Sequence, residues 1–208
     1  MKKRVDKKSI NKQYKFSLRD QYKKGFDFIR ESRKFIYAII IIFFVFVLIG
    51  FFVPVSESLA NSILEYLKEI VSQTEGMSQS QLIWFIFENN STNSFFGIVL
   101  GIFLGVFPVI VSIFNGYILG FVGRFMVDVA EGNVSVLLNF LPHGIFELPV
   151  VFISFGMGMK LGTFIFQKNK FKSFLSYLLN SLRVFILIVI PLLIIAAIIE
   201  GSFMIVFG

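Results

Sequence analysis

Residues 35–53, 94–123 and 184–199 form three runs without a charged side chain, and none shows the strict alternation of a strand. An α-helix rises 1.5 Å per residue, so the first run has about the 20 residues needed to cross a hydrocarbon core about 30 Å thick. The second run is long enough for more than one pass. Between the runs the pattern turns amphipathic. Leu59, Ile63, Tyr66, Leu67 and Ile70 recur at helical spacing, and SQSQLIWFIFENN at 78–90 carries a second apolar face. The pattern predicts an all-α fold, a polytopic helical membrane bundle of about five membrane segments, with amphipathic helices in the loop at 54–92. A lid packed on the protein's own spans and a surface lying on the membrane or a partner are both open for that loop.

Composition removes the soluble alternative: 56% of residues are hydrophobic, 29 of 208 are Phe, and mean hydropathy is +0.80. Charge then orients the chain. Residues 1–34 carry 13 Lys/Arg against four acids, whereas residues 54–92 carry one Lys and five Glu. By the positive-inside rule the N-terminus is cytoplasmic, the acidic loop is outside, and the multi-pass chain sits in the plasma membrane. Residues 160–183 hold five basic residues and no acid, so they are also expected inside. An odd number of crossings must lie between. Segments at about 94–111, 113–130 and 140–160 satisfy this with five crossings in all. One crossing plus a re-entrant segment has the same parity. Arg124 and Asp128 lie in one of these short segments.

The organisation that follows is a basic juxtamembrane arm at 1–34 and a single helical membrane domain at 35–208. The arm precedes the first apolar run and no small-residue cleavage pattern follows, so a retained anchor is expected rather than a signal peptide. Phe26, Phe28 and Ile29 among the cations suggest a short interfacial helix, and anionic lipid is preferred to nucleic acid as its partner. The chain has no cysteine, which excludes disulfides and thiolate metal sites.

Small residues recur every four positions: Gly97, Gly101 and Gly105; Gly116 and Gly120; Ser154, Gly158 and Gly162. Residues four apart share a helix face, and small ones let two helices approach closely where lipid removes the hydrophobic drive for association. These are packing ridges, read first as intramolecular, with a homo-oligomeric interface as the alternative.

The candidate chemistry lies in LPHGIFELP at 141–149. Pro142 suits a first helical turn, and Pro149 removes a backbone hydrogen bond and should kink the chain. His143 and Glu147, at i and i+4, face the same way and can pair. A carboxylate in lipid costs at least a few kcal/mol, so Glu147 must face protein or water. The intramembrane polar site is therefore assigned to His143, Glu147 and Asn115. Asn89, Asn90, Asn139 and Glu200 are further oxygen donors for cation passage, although no line of carboxylates is evident. One histidine in total excludes the HExxH zinc proteases, and the absence of GxSxG argues against a serine hydrolase. No catalytic residue, cofactor or metal site is assigned.

Several segments together resemble the stage II sporulation protein M family: ENN at 88–90 and the GxxxGxxxG after it, FNGYILG at 114–120, LPHGIFELP, GMGMKLG at 156–162, and LRVFILIVIPLLIIAAIIEG at 182–201. The likeness covers residues 35–201, and LPHGIFELP is its most specific part. The resemblance implies a non-enzymatic bacterial or archaeal membrane subunit, which in spore formers works with two peptidoglycan-degrading partners during engulfment. The leading expectation is a scaffold or assembly subunit that positions other membrane or envelope proteins. A small channel or transporter using the His143/Glu147 site is the alternative, and an intramembrane enzyme comes third.

Overall fold

The computed structural model describes residues 17–207, the side chains of 139–143 and 204–207 excepted. Among the described residues all regular structure is helical: α1 Leu18–Phe52, α2 Glu57–Thr74, α3 Gln79–Val99, α4 Val106–Val129, α5 Leu141–Phe146, α6 Leu148–Gly162, α7 Lys170–Val184 and α8 Ile190–Phe207. Local chemistry sets the ends. Ser17 and Ser56 accept hydrogen bonds from Asp20 and Leu59 at the starts of α1 and α2, and Ser78 and Gln81 form a capping box at α3. Val53 closes α1, and Pro54 after it cannot extend the helix.

Four helical stretches are long and apolar enough to cross a membrane: Leu18–Phe52, Val106–Val129, Leu148–Phe166 and Lys170–Phe203. The last is continuous through a π-turn at Phe185–Val189. Pro191 explains the turn, since its ring crowds the carbonyl four residues back and loosens the helical ladder there. At the centre stands α6, with ten of its 15 residues buried, packed by α1, α3 and α4. Three contact series fix the directions. Ser112, Gly116 and Gly120 on α4 meet Ile39, Phe43 and Val47, so α4 runs parallel to α1. Gly156 and Phe152 meet Ile36 and Phe43, so α6 runs antiparallel to α1. Gly97 and Gly105 on and after α3 meet Phe155 and Gly162, so α3 follows α6, while Gly201 on Ile83 and Phe185 on Phe95 set α8 against α3.

Three sequence expectations are corrected. The segment 94–111 is not one helix: α3 ends at Val99, a 3-10 turn spans Leu100–Ile102, and the chain reverses through Leu104 (φ 59°) and Gly105 (φ 71°) before α4. The apolar stretch at 78–90 is not a separate surface helix but the first half of α3, with Leu82 and Ile86 buried beside Ala197 of α8. No interfacial helix separates from the first span, because α1 runs unbroken from Leu18, and Phe28 is buried under α7 rather than facing lipid.

Candidate functional site

The close-packed and the open parts of the bundle have the same cause. On α3 the buried side chains shrink from Leu82 and Ile86 through Asn90 and Ser94 to Gly97, before Ile98 restores bulk. Where they vanish, backbones touch. A methyl added at Gly158 would collide with the carbonyl of Gly97, one at Gly101 with Gly158, and one at Gly162 with the backbone of Gly105. Gly116 and Gly120 meet the carbonyls of Phe43 and Val47 on α1 in the same way. Ser154 is fully buried and its hydroxyl donates to the Val150 carbonyl at 3.1 Å. All three ridges are thus occupied within the chain. Gly50, which meets Tyr117, and Gly156, which meets Ile36, belong to the same contacts but show no four-residue spacing that would have marked them.

Towards the other end of the bundle α3 and α6 enclose a cavity of about 470 Å³. Its polar lining comes from four places: Asn89, Asn90 and Asn93 on α3, Ser112 and Asn115 on α4, Glu147 before α6, and Glu200 on α8. Phe43, Phe152 and Phe155 supply apolar wall, and Leu67 of α2 and Phe203 complete it. Glu147 is 4% exposed and Asn90 is 8% exposed. Asn93 donates to the Asn89 carboxamide oxygen at 3.4 Å, whereas the Asn90 carboxamide makes no hydrogen bond among the described residues. The Ser112 hydroxyl donates to the Ile39 carbonyl at 3.4 Å. Over this region α2 lays Tyr66 edge-on against Phe114, ring centroids 6.4 Å apart, with Ile63 buried beneath it.

Of the three residues assigned to the polar site, the structure brings Glu147 and Asn115 to one cavity; the side chains of His143 and Asn139 lie outside the described residues. The backbone differs from the expectation of one helix through 140–160. A 3-10 turn covers Val134–Phe140, α5 holds Pro142 and His143, and the helix is interrupted at Glu147, which caps α6 with Pro149 in its first turn. The Glu147 carbonyl accepts from Val150 and Val151 at 3.0 and 3.1 Å. Pro149 therefore does more than kink the chain: it restarts the helix and leaves Glu147 at the junction, facing the cavity. Asn93 and Ser112 were missed by sequence reasoning. The i, i+4 repeat of Asn89 and Asn93 was the available signal for the first, and nothing local marks the second.

A second buried polar group lies at the opposite end. Lys160, counted from sequence among the loop cations, is 6% exposed within α6. Its Nζ is 3.1 Å from Glu31 Oε2 and lies 4.1 Å and 5.2 Å from the ring centres of Phe28 and Tyr177. It ties α1, α6 and α7 together, helped by a 2.8 Å hydrogen bond from Arg183 to Gln21. Among the described residues no group of His, Cys, Asp or Glu is placed to hold a metal ion.

The model of stage II sporulation protein M matches residues 39–203, about four-fifths of the sequence. The chain belongs to that family. It is also similar to an uncharacterized protein of Methanocaldococcus jannaschii, 29% identical over 177 residues, which are 82% of this chain and 78% of the relative. No solved structure matches it. Family membership and the long apolar helices make this a membrane protein, and the matched region contains every described residue that lines the cavity.

Proposed function

We propose that this member of the stage II sporulation protein M family is a non-enzymatic membrane protein of the channel or transporter class, which receives a small polar solute in the cavity beside Glu147. One observation carries the reading: seven polar side chains from separate parts of an otherwise apolar bundle line a single cavity. Polar groups in a membrane interior are costly unless they meet protein or water, so seven of them gathered on one space point to a site. A volume of about 470 Å³ lies within the range of small-molecule sites.

The scaffold reading is second. It is favoured by α2, an amphipathic helix whose Leu59 and Val71 remain exposed and could be covered by a membrane-protein partner. Reconstitution separates the two. Proteoliposomes on a solid-supported membrane are challenged with concentration jumps of inorganic cations, amines, amino acids and sugars. The expected result is a saturable current for one class, lost in Glu147→Gln although that variant melts like the wild type. No saturable response to any class from well-folded protein would leave the scaffold reading standing.

A further inference from the structure

The last helical stretch is longer than the membrane is thick. Lys170–Phe203 has 34 residues and rises about 51 Å, against a hydrocarbon core of about 30 Å, and tilts of up to about 40° do not absorb the difference. α8 alone has 18 residues, about 27 Å, and nearly fills the core. α7 therefore lies at the edge of the core or beyond it, and its surface shows which medium covers it.

That surface divides into three arcs. Tyr177, Ser181 and Val184 face the bundle, where Tyr177 packs on Phe28 and Ser181 and Val184 are fully buried. Lys172, Ser176 and Arg183 share a polar arc at helical spacing. Phe171, Leu175 and Leu179, four residues apart, form an apolar arc that the bundle leaves exposed, Phe171 to 76%.

Two observations identify what covers the apolar arc. It runs on at helical spacing into Ile186 and then Ile194 and Ile198, exposed apolar residues that follow it into the lipid-facing side of α8. It is also flanked by uncompensated cations. The chain has no acid between Glu147 and Glu200, and Lys168, Lys170 and Lys172 are exposed, none of them paired with a carboxylate among the described residues. They crowd the positive end of the α7 dipole, where neither an acidic first turn nor a side-chain cap offsets them.

We propose that α7 is an interfacial anchor for anionic phospholipid. It lies in the headgroup layer, with Phe171, Leu175 and Leu179 among the outer acyl carbons and Lys168, Lys170 and Lys172 on lipid phosphates. A soluble protein could cover the apolar arc, but continuity with a lipid-facing surface and a cluster of flanking cations fit a charged bilayer face. The anchor is independent of what occupies the cavity.

Trp84 is the chain's one tryptophan, so Trp84→Phe with Phe171→Trp gives a single fluorescent reporter on the arc. The protein, melting as its parent does, is placed in nanodiscs of phosphatidylcholine and phosphatidylglycerol in which one lipid at a time carries bromine on its acyl chains. Bromine near the headgroup end should quench the reporter more than bromine near the methyl end, and acrylamide should quench it far less than free tryptophan. At equal mole fraction, brominated phosphatidylglycerol should quench about twofold more than brominated phosphatidylcholine. Changing Lys168, Lys170 and Lys172 together to Gln should remove that preference, whereas changing all three to Arg should keep it. Acrylamide quenching close to that of free tryptophan, without a bromine effect, would put α7 in water, open to a protein partner, and would overturn the lipid assignment. Stronger quenching from the methyl end would place α7 inside the span and overturn the anchor. Equal quenching by the two lipids, or a preference that survives the three Gln changes, would overturn the contact with anionic headgroups.

Discussion

Lys160 and Arg124 each pair with a carboxylate at hydrogen-bond distance, 3.1 Å to Glu31 and 2.8 Å to Asp128, yet their surroundings give the pairs different weight. The side chains of Arg124 and Asp128 are more than half exposed, so solvent screens them and the long arginine gives up rotamer freedom to hold one geometry. Lys160 is buried over two aromatic rings, where its stem is packed and its ammonium gains from both ring faces. Lys160→Ala should therefore cost about 1–3 kcal/mol, through lost packing and cation–ring contact. Arg124→Ala should cost less than about 1 kcal/mol. Melting curves of the two variants in one detergent check the ranking, and equal shifts would contradict it. The buried lysine was not legible in the sequence, because a cation eight positions before Lys168, Lys170 and Lys172 looks like the start of a polar loop. Glu147 was legible for the opposite reason: an acid inside an apolar run between two prolines has few ordinary explanations. What the sequence could not show is that Asn90, Asn93 and Ser112, 35 to 57 residues away along the chain, converge on the same space as Glu147.

At the level of helices, hydrophobic runs located membrane segments but not their ends. The uncharged run at 94–123 hides a full chain reversal, because the turn at residues 100–105 needs no polar side chain to satisfy its backbone. Gly105 donates to the Gly101 carbonyl at 2.8 Å, Phe103 to Leu100 at 3.2 Å and Val106 to Phe103 at 3.0 Å. With those groups paired and α6 packed behind them, an apolar turn is permitted there. Gly105 was read as a ridge residue, and it is one, but its positive φ is what lets the chain turn. The ridge spacing itself was readable because period four is a local property. What each ridge touches is not local. The contact between Gly97 and Gly158 gives the sharpest test at this scale. Gly158→Ala would put a methyl against the Gly97 carbonyl, with the Gly97 helix turn and Ile98 behind it, so α3 and α6 must separate or shift. Overpacking of this kind typically costs about 1–3 kcal/mol. At Gly144, by contrast, the first atom such a methyl would meet is a flexible leucine carbon at 4.0 Å, and Gly144→Ala should be tolerated or slightly stabilising in its helix. Thermal denaturation of both variants decides it, and a Gly158→Ala protein as stable as Gly144→Ala would refute the backbone contact.

Across the whole molecule, helix directions turn a parity argument into a definite path. α1 and α4 run parallel and both are apolar and long enough to span, so the chain must return across the same slab between them. Only α3 lies in that interval with sufficient length: its 21 residues rise about 32 Å. Hydropathy passes over it because Glu88 and four asparagine or threonine side chains fall within it, yet several of these face the cavity rather than lipid. Continuing with α6 back and α8 forward, we propose strict alternation with five passes in all, with residues 18–34 and Lys160 at one end and the 54–78 loop at the other. By the positive-inside rule, the excess of Lys and Arg at the first end predicts that this end is the cytoplasmic one. Since no native cysteine interferes, single cysteines at the exposed positions Glu75, Asn133 and Asn169 report each side. An impermeant thiol reagent added to intact cells should label Glu75→Cys and Asn133→Cys, and spare Asn169→Cys until the membrane is broken. Labelling of Asn169→Cys alone would invert the orientation while keeping the five passes. Labelling of Glu75→Cys with protection of Asn133→Cys would mean that α4 does not reach the outer face, and the alternating path would have to be abandoned for a re-entrant one.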